Sequence, residues 1–564
     1  MPALAPLTAE STSLIEMLLT AQQQLSAVEA FALCESSGVE PVDGRYRSLI
    51  PLSLPEPGQQ YAFEVDLDRC SGCKACVAAC HNLNGLEEEE LWRSVGLLHG
   101  GTNQLPVIQH VTTACHHCLE PACLQGCPVR AYEKDPQTGI VRHLDDQCIG
   151  CQYCILTCPY DVPKYSKQKG IVRKCDMCRT RLAEGEAPAC VQACPTRAIR
   201  ITVIDQQEAS DDCETNLFLP GAPEPGHTLP TTVYKTARPL PGNLLPADYY
   251  AAAPQHAHWP LVFMLVLTQM SVGVFLADQW PRLIAGDRGE PLAHRYAIDL
   301  ALWLGLAGIG ASLLHLGRPW YAYRAVLGLR TSWLSREILA FSLYGGLLLV
   351  CAGMAWLQRW GVHVPGTLTG AAETSACVFG LAGVGCSVMI YVRTRRPFWS
   401  AGATTTKFSL TCALLGLAGA LLVWAVAAAR SPESATDPMM SELRHQACRW
   451  LAAAVLVKLL LECSVILQLR RTRHGPLKRT ALLMTGELKP VMQGRLLLAA
   501  FGGVALPLLL ATGWTMGASE PTQPLFAVAA HTLIVAAMLI GELMERYLFF
   551  TAVVAPKMPG APAS

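Results

Sequence analysis

Sixteen of the 24 cysteines lie between Cys70 and Cys194 and form four groups of closely spaced residues. The groups are Cys70, Cys73, Cys76 and Cys80; Cys115, Cys118, Cys123 and Cys127; Cys148, Cys151, Cys154 and Cys158; and Cys175, Cys178, Cys190 and Cys194. The first and third have the spacing C-x2-C-x2-C-x3-C, and the other two lengthen the middle gap. In such a loop three cysteines reach one iron cube and the fourth ligates a neighbouring cluster. The spacing therefore predicts four [4Fe–4S] clusters.

Zinc is the alternative metal, because two C-x2-C pairs can form a four-thiolate tetrahedral site. Zinc does not require the third and fourth cysteines at these spacings, nor the same pattern four times, so iron–sulfur clusters are favoured. Cys34, Cys213 and the six cysteines beyond residue 258 lie outside the groups. We predict that these are ordinary thiols.

Beyond about residue 258 the sequence turns into a series of apolar runs of roughly 20 residues, each long enough to cross a bilayer. We predict eight spans, at 258–279, 296–316, 334–356, 371–392, 406–428, 446–468, 496–516 and 525–548. The predicted fold class is an α+β ferredoxin-like four-cluster domain followed by an all-α bundle of eight transmembrane helices.

Four regions follow from this division. Residues 1–60 are predicted to hold an amphipathic helix at 8–34 and an extended docking segment, and residues 61–205 form the cluster domain, with β segments at Tyr61–Val65 and Ala198–Ile204. Residues 206–257 hold eight prolines and no helical period, which predicts an extended strap. Residues 258–555 are predicted to form the membrane anchor.

Charge predicts the placement of the cluster domain. With 44 basic and 44 acidic residues the protein is neutral, so no nucleic-acid partner is expected. The sequence opens without a basic, apolar signal segment. The loops on the cluster-domain side of the predicted spans carry 13 Lys and Arg, against 6 on the other side. By the positive-inside bias we expect an inner-membrane protein with its cluster domain on the cytoplasmic face.

Ionisable residues in the spans gather toward the same face and need an explanation, because charge is costly in a bilayer. His315 and Glu337 flank one loop, Tyr391 ends the fourth span, and Glu462, Glu542 and Glu545 lie in the sixth and eighth. A histidine and a carboxylate are suitable acceptors for the two protons of a quinol. Lys458 and Glu462, four residues apart, are predicted to pair within one helix. The predicted spans place no pair of histidines on facing helices near the clusters, so no haem is expected.

The cysteine half resembles the iron–sulfur subunit of the dimethyl sulfoxide reductase family of molybdoenzymes. This resemblance implies four ligand sets: Cys70, Cys73, Cys76 and Cys194; Cys80, Cys175, Cys178 and Cys190; Cys115, Cys118, Cys123 and Cys158; and Cys127, Cys148, Cys151 and Cys154. Segments 315–319, 328–337, 389–399 and 541–550 resemble the eight-helix anchor subunit of the same family, which oxidises menaquinol. His315 and Glu337 match its quinol site, and Arg318, Arg336 and Tyr391 are weaker candidates.

The resemblance implies a subunit of a quinol-linked oxidoreductase. It would oxidise menaquinol from the membrane pool and pass electrons through four clusters to a separate molybdopterin subunit. One alternative is the reverse flow, from a molybdenum dehydrogenase to quinone. Another is an ion-translocating module, which would need buried ionisable groups across the whole membrane. The interiors of predicted spans 1, 5 and 7 hold no acidic residue, which disfavours this second alternative.

Overall fold

The computed structural model describes residues 46–251, 253–285, 291–431, 438–472, 474–512 and 523–559. The predicted helix at 8–34 and Cys34 lie outside these residues. The described residues form a cluster domain of short strands and helices and a bundle of long apolar helices. The predicted fold class is confirmed.

Short strands frame the cluster domain. They are β1 (Gln59–Asp66), β2 (Ser94–Gly101), β3 (Pro106–Thr113), β4 (Tyr132–Lys134), β5 (Val141–His143), β6 (Lys164–Ser166), β7 (Ile171–Arg173), β8 (Ile199–Asp205), β9 (Val233–Lys235) and β10 (Leu245–Pro246). Strand β1 pairs antiparallel with β8 and parallel with β9, so the two ends of the domain meet in one sheet. Both predicted β segments are confirmed, and Phe63, Val65 and Ile201 from this sheet are buried in the domain core.

Short helices follow the cysteine loops. They are α1 (Ala75–Asn84), α2 (Ala122–Gly126), α3 (Tyr153–Thr157), α4 (Arg179–Ala183) and α5 (Ala189–Gln192). The strap differs from the prediction at its start, because residues Gln206–Glu214 form helix α6. Asp205 caps this helix by accepting hydrogen bonds from the backbone N–H groups of Gln207 and Glu208 at 2.8 and 3.0 Å. Because the helix is polar, the sequence has no apolar periodicity from which it could have been predicted.

The membrane half contains eight helices long and apolar enough to cross a bilayer, among the residues described. Spans 1 to 6 are α7 (Trp259–Ala285), α8 (Pro291–Leu313), α9 (Trp333–Arg359), α10 (Gly366–Val392), α11 (Ala401–Arg430) and α12 (Pro438–Ser464). After helix α13 (Pro476–Thr485), span 7 joins α14 (Lys489–Leu498), a π-helical segment (Ala499–Ala505) and α15 (Leu506–Ala511), and span 8 is α16 (Gln523–Thr551).

Two apolar cores hold the bundle together. One is centred on spans 1 to 4, and the other joins spans 1 and 2 to spans 5 to 8. Span 1 belongs to both cores and crosses span 5 closely, where a Cβ atom on Gly273 would lie 2.0 Å from the carbonyl oxygen of Cys412. Small residues permit such close backbone contact in membranes.

The segment after span 8 returns to the cluster domain. Met558 is 1% exposed and belongs to the same core as Phe63 and Val65. Beside it, the Nζ atom of Lys557 lies 2.7 Å from the Oδ2 atom of Asp248 in the strap. The cluster domain is therefore held both by the strap before span 1 and by the segment after span 8.

A buried ionic network, defined here as four cations and three carboxylates, joins spans 5 to 8. Its members are Lys407, Lys458, Glu462, Arg495, Glu542, Glu545 and Arg546. Arg495 donates to Glu462 at 3.1 Å and to Glu542 at 2.7 Å, and Lys458 pairs with Glu542. The prediction that Lys458 pairs with Glu462 within one helix is therefore wrong, since each residue pairs with a different span.

We predict that Arg495→Met destabilises the bundle, because it leaves two buried carboxylates short of a partner. The free energy of unfolding should fall by about 3–5 kcal/mol, measured by chemical denaturation in detergent micelles. Arg449→Met is the matched control, because Arg449 is half exposed and 3.9 Å from Glu442. Its loss should cost less than about 1 kcal/mol. Equal effects of the two substitutions would contradict a stabilising network.

Candidate functional site

The structure brings the sixteen cysteines together in the four sets that the resemblance implies, which we call tetrads 1 to 4. Tetrad 1 (Cys70, Cys73, Cys76, Cys194) and tetrad 3 (Cys115, Cys118, Cys123, Cys158) each line a small cavity. Tetrad 2 consists of Cys80, Cys175, Cys178 and Cys190, and tetrad 4 of Cys127, Cys148, Cys151 and Cys154, with electrostatic contact among the thiols of each. Burial raises the pKa of the Cys80 thiol to about 12, and nearby Cys190 adds to it. Thiolates crowded in this way fit a positively charged iron cube.

Backbone geometry turns the cysteines inward. The residue just before the second cysteine of each group, Gly72, His117, Gly150 or Met177, has a positive φ. Backbone N–H groups also donate to the ligands: Ala131 to the Sγ atom of Cys127 and Ala198 to that of Cys194, both at 3.2 Å. Hydrogen bonds to cluster sulfurs tune reduction potentials, so these loops both shape the tetrads and set their electrostatics.

Two buried cations lie between tetrads, and the sequence reasoning missed both. Arg93 is 2% exposed, and although burial opposes its charge, thiolates of tetrads 1 and 2 raise its pKa. Its Nε and Nη2 atoms have no hydrogen-bond partner within the described residues. The Nζ atom of Lys174 donates to the Sγ atom of Cys115 in tetrad 3 at 3.4 Å and to the carbonyl of Cys175 in tetrad 2 at 2.9 Å. The one sequence signal that could have identified Lys174 is its position directly before the ligand Cys175.

The tetrads therefore follow one another in a line. Arg93 joins tetrad 1 to tetrad 2, and Lys174 joins tetrad 2 to tetrad 3. Helices α2 and α3 pack together, and each lies between a ligand of tetrad 3 and a ligand of tetrad 4. Tetrad 4 is the end of the line that meets the membrane bundle.

The tetrad 4 loops dock on the membrane bundle through backbone groups and through two side-chain hydroxyls, mostly at the loop between spans 2 and 3. The N–H of Arg318 donates to the carbonyl of Ile149 at 3.0 Å, and a Cβ atom on Gly317 would lie 2.1 Å from the carbonyl oxygen of Gly170. Ser332 donates to the carbonyl of Gly126 at 2.7 Å, and Tyr153 donates to that of Ile390 at 3.1 Å. The two halves thus meet without intervening side chains at their closest point.

A cavity of about 400 Å³ opens at this junction. The cluster domain contributes Cys151 of tetrad 4, and spans 3 and 4 contribute Glu337 and Tyr391. His315 also lines it, just after span 2. The remaining lining is mostly apolar, as expected of a site for a ligand with a ring and a hydrocarbon chain.

The polar groups of the cavity are few and held in place. Ser387 donates a hydrogen bond to the Oε1 atom of Glu337, which is 1% exposed. Burial lowers the pKa of His315 to about 4, partly opposed by a hydrogen bond with the Cys151 backbone, so the ring is neutral near pH 7. The Tyr391 ring packs on Trp399, Phe549 and Phe550.

Histidine 258 is a cavity residue that the sequence reasoning missed. It precedes span 1, and its ring centroid lies 5.1 Å from that of His315 at an interplanar angle of 82°. The two rings pack edge to face. Their proximity depends on the approach of spans 1 and 2, which no local motif reveals.

Two weaker candidates lie outside the cavity lining. Arg318 donates to the carbonyl of Asp145 at 2.9 Å, so its side chain holds the cluster domain. Arg336 donates to the carbonyls of Leu329 and Arg330 and covers the ring of Trp333. The structure therefore brings His315, Glu337 and Tyr391 together. It places Arg318 in the loop between spans 2 and 3, and Arg336 in the first turn of span 3 with its side chain bonded to that loop.

Comparisons with known proteins match both halves. A family model of the 4Fe-4S dicluster domain matches residues 107–204, and one of the DMSO reductase anchor subunit (DmsC) matches residues 255–551. The B subunit of the anaerobic dimethyl sulfoxide reductase of Haemophilus influenzae is 39% identical over 157 residues, which are 26% of this chain and 76% of that protein. The thiosulfate reductase electron transfer subunit PhsB of Salmonella typhi is 38% identical over 152 residues, which are 26% of this chain and 79% of that protein.

Proposed function

We propose that this protein, which belongs to the DMSO reductase anchor subunit (DmsC) family, oxidises menaquinol and delivers electrons to a separate catalytic subunit. Its anchor is fused to an iron–sulfur electron-transfer domain. The fusion is an electron-transfer subunit of a DMSO reductase-like oxidoreductase. The observation that supports quinol oxidation best is the cavity that Cys151 shares with His315 and Glu337.

Four [4Fe–4S] clusters occupy tetrads 1 to 4 in this proposal. When bound, they carry single electrons between the cavity and the far end of the cluster domain. Tetrad 4 would hold the cluster nearest the quinol, because its ligand Cys151 lines the cavity. Arg93 and Lys174 lie against ligand thiols of adjacent tetrads and would partly neutralise the charge of clusters bound there, which would ease their reduction.

We predict that Cys151→Ser removes iron from tetrad 4 alone. Purified wild-type protein should hold sixteen iron atoms per chain, and the variant should lose at least one, with a three-iron signal in electron paramagnetic resonance. Cys213→Ser is the control, because Cys213 is buried outside the tetrads and donates to the carbonyl of Pro230. A wild type with far fewer than sixteen iron atoms would contradict the proposal.

In the cavity, a quinol would donate its hydroxyl hydrogens to neutral His315 and to Glu337. The low pKa of His315 keeps its ring able to accept a hydrogen bond at neutral pH. Glu337 accepts from Ser387, which orients the carboxyl group. The apolar walls exclude water from the quinol ring, and His258 supports the imidazole of His315 from the side.

We predict that Glu337→Gln and His315→Ala slow cluster reduction by menaquinol by about a hundredfold, because each removes a proton acceptor. Reduction by dithionite, which bypasses the cavity, should remain normal. Stopped-flow absorbance of the clusters measures both rates. Matched controls are Glu442→Gln and His363→Ala, two exposed residues at the opposite end of the bundle. Normal menaquinol-driven reduction in both cavity variants would remove the site assignment.

The partner would be a molybdopterin-containing subunit, as the relatives' names, which include dimethyl sulfoxide and thiosulfate reductases, suggest for this type of complex. The cluster domain would face the cytoplasm of a bacterial inner membrane. The charge bias of the loops supports this placement. Three arginines of these loops, Arg318, Arg324 and Arg396, also donate hydrogen bonds to carbonyls of the cluster domain. Part of the positive charge on this side therefore also serves to dock the cluster domain.

Protease digestion of sealed vesicles tests the placement. We expect the cluster domain to be cut in inverted vesicles and protected in right-side-out vesicles, with mass spectrometry identifying fragments from residues 46–251. The reverse pattern would place the clusters on the outer face. A detergent-treated sample controls for protease activity.

A further inference from the structure

A row of polar side chains crosses the otherwise apolar core of spans 1 to 4. On span 3, Glu337, Tyr344 and Cys351 recur every seven residues and are all buried. Seven residues are two helical turns, or about 10.5 Å along the axis. Residues at this interval share one face of the helix, so the three side chains form a line from the cavity into the bundle.

Span 1 continues the row beside span 3. The Tyr344 hydroxyl lies 3.0 Å from the Oγ atom of Ser271, which donates to the carbonyl of Ala301 at 2.6 Å. Seven residues further along span 1 is Asp278, which is 5% exposed. Tyr344 and Ser271 therefore stand between the cavity and Asp278.

The row ends in three ionisable side chains near the face opposite the clusters. The Nδ1 atom of His294 lies 2.5 Å from the Oδ2 atom of Asp278, and its Nε2 atom lies 3.2 Å from the Oε1 atom of Glu373. The side chains of His294 and Glu373 are 18% and 12% exposed, so the group reaches the surface. Cys377 is in electrostatic contact with both carboxylates and with Tyr344.

We propose that this row carries the protons of the quinol from Glu337 to the face opposite the cluster domain. The inference rests on the proposed quinol oxidation and adds a direction to it. Protons would pass through Ser387, Tyr344 and Ser271 to Asp278, His294 and Glu373, with water molecules bridging the gaps between side chains. Intramembrane ionisable residues in such a line mark a proton relay more readily than a packing device.

The step is balanced. Each menaquinol loses two electrons and two protons and becomes menaquinone, and ferricyanide is the final acceptor of the electrons in the test below. If electrons exit on the cluster side and protons on the opposite side, each turnover separates two charges across the membrane. Asp278 lies at the edge of predicted span 1, and His294 lies before predicted span 2. Neither residue is therefore in the span interiors whose lack of acidic residues disfavoured an ion-translocating module.

The test uses the native complex in liposomes that contain menaquinol, with the cluster domain outward and a pH-sensitive dye inside. Ferricyanide added outside cannot cross the membrane and takes electrons from the clusters. We expect the lumen to acidify by two protons per quinol, with valinomycin and potassium present, and a protonophore to abolish the change. Protons released only outside, with normal ferricyanide reduction, would overturn the inference. Absence of ferricyanide reduction would instead contradict quinol oxidation itself.

Two substitutions test whether the row of polar side chains carries the protons. Asp278→Asn and Tyr344→Phe keep side-chain shape but cannot relay a proton in the same way, so lumenal acidification should fall by about tenfold or more, while dithionite still reduces the clusters. Asp278→Glu should restore it. His531→Asn is the control, because His531 is buried in span 8 at the same end of the bundle, and its ring contacts Ala527 of its own helix. Full acidification in both Asp278→Asn and Tyr344→Phe would show that the row only joins helices.

Discussion

The contact between tetrad 4 and the loop after span 2 is the constraint on which the rest of the molecule depends. Backbone meets backbone there, at Gly150, Gly170 and Gly317, where a Cβ atom on any of the three would collide. This contact brings Cys151 to the cavity wall beside His315 and Glu337. Electron transfer from a membrane-bound donor requires such proximity. The three glycines contribute to it because their lack of a side chain lets the cluster domain approach the bundle this closely.

The two halves of the bundle stabilise this arrangement differently. Spans 1 to 4 surround the cavity and contain a row of polar groups, such as Glu337 with Ser387 and His294 with Asp278 and Glu373. Spans 5 to 8 contain the ionic network, in which four cations face three carboxylates. Between them lies an aromatic layer in which Arg546 covers the ring of Phe408 with its guanidinium carbon 3.9 Å from the ring centroid. The layer separates the charged region from the cavity.

The sequence predicted most of the features that depend on residues close together in the chain. Cysteine spacing indicated the tetrad loops, apolar runs indicated the spans, and motifs around His315 and Glu337 indicated the family that the comparisons confirm. The polar helix Gln206–Glu214 was missed because it has no apolar period, and the other misses involve residues far apart in sequence. Lys458 has a nearby acid at Glu462, yet it pairs with Glu542 because span 8 brings a second carboxylate closer. His258, Arg93 and Lys174 acquire their positions only when separate segments pack, which no spacing rule detects.

The return of the segment after span 8 to the cluster domain has a consequence for assembly. Met558 fills part of the same core as Phe63 and Leu98, and it is synthesised after all eight spans. The cluster domain therefore cannot complete its core until the last helix has been made. Closure of the N-terminal half therefore follows synthesis of the whole anchor in the biosynthesis of one polypeptide.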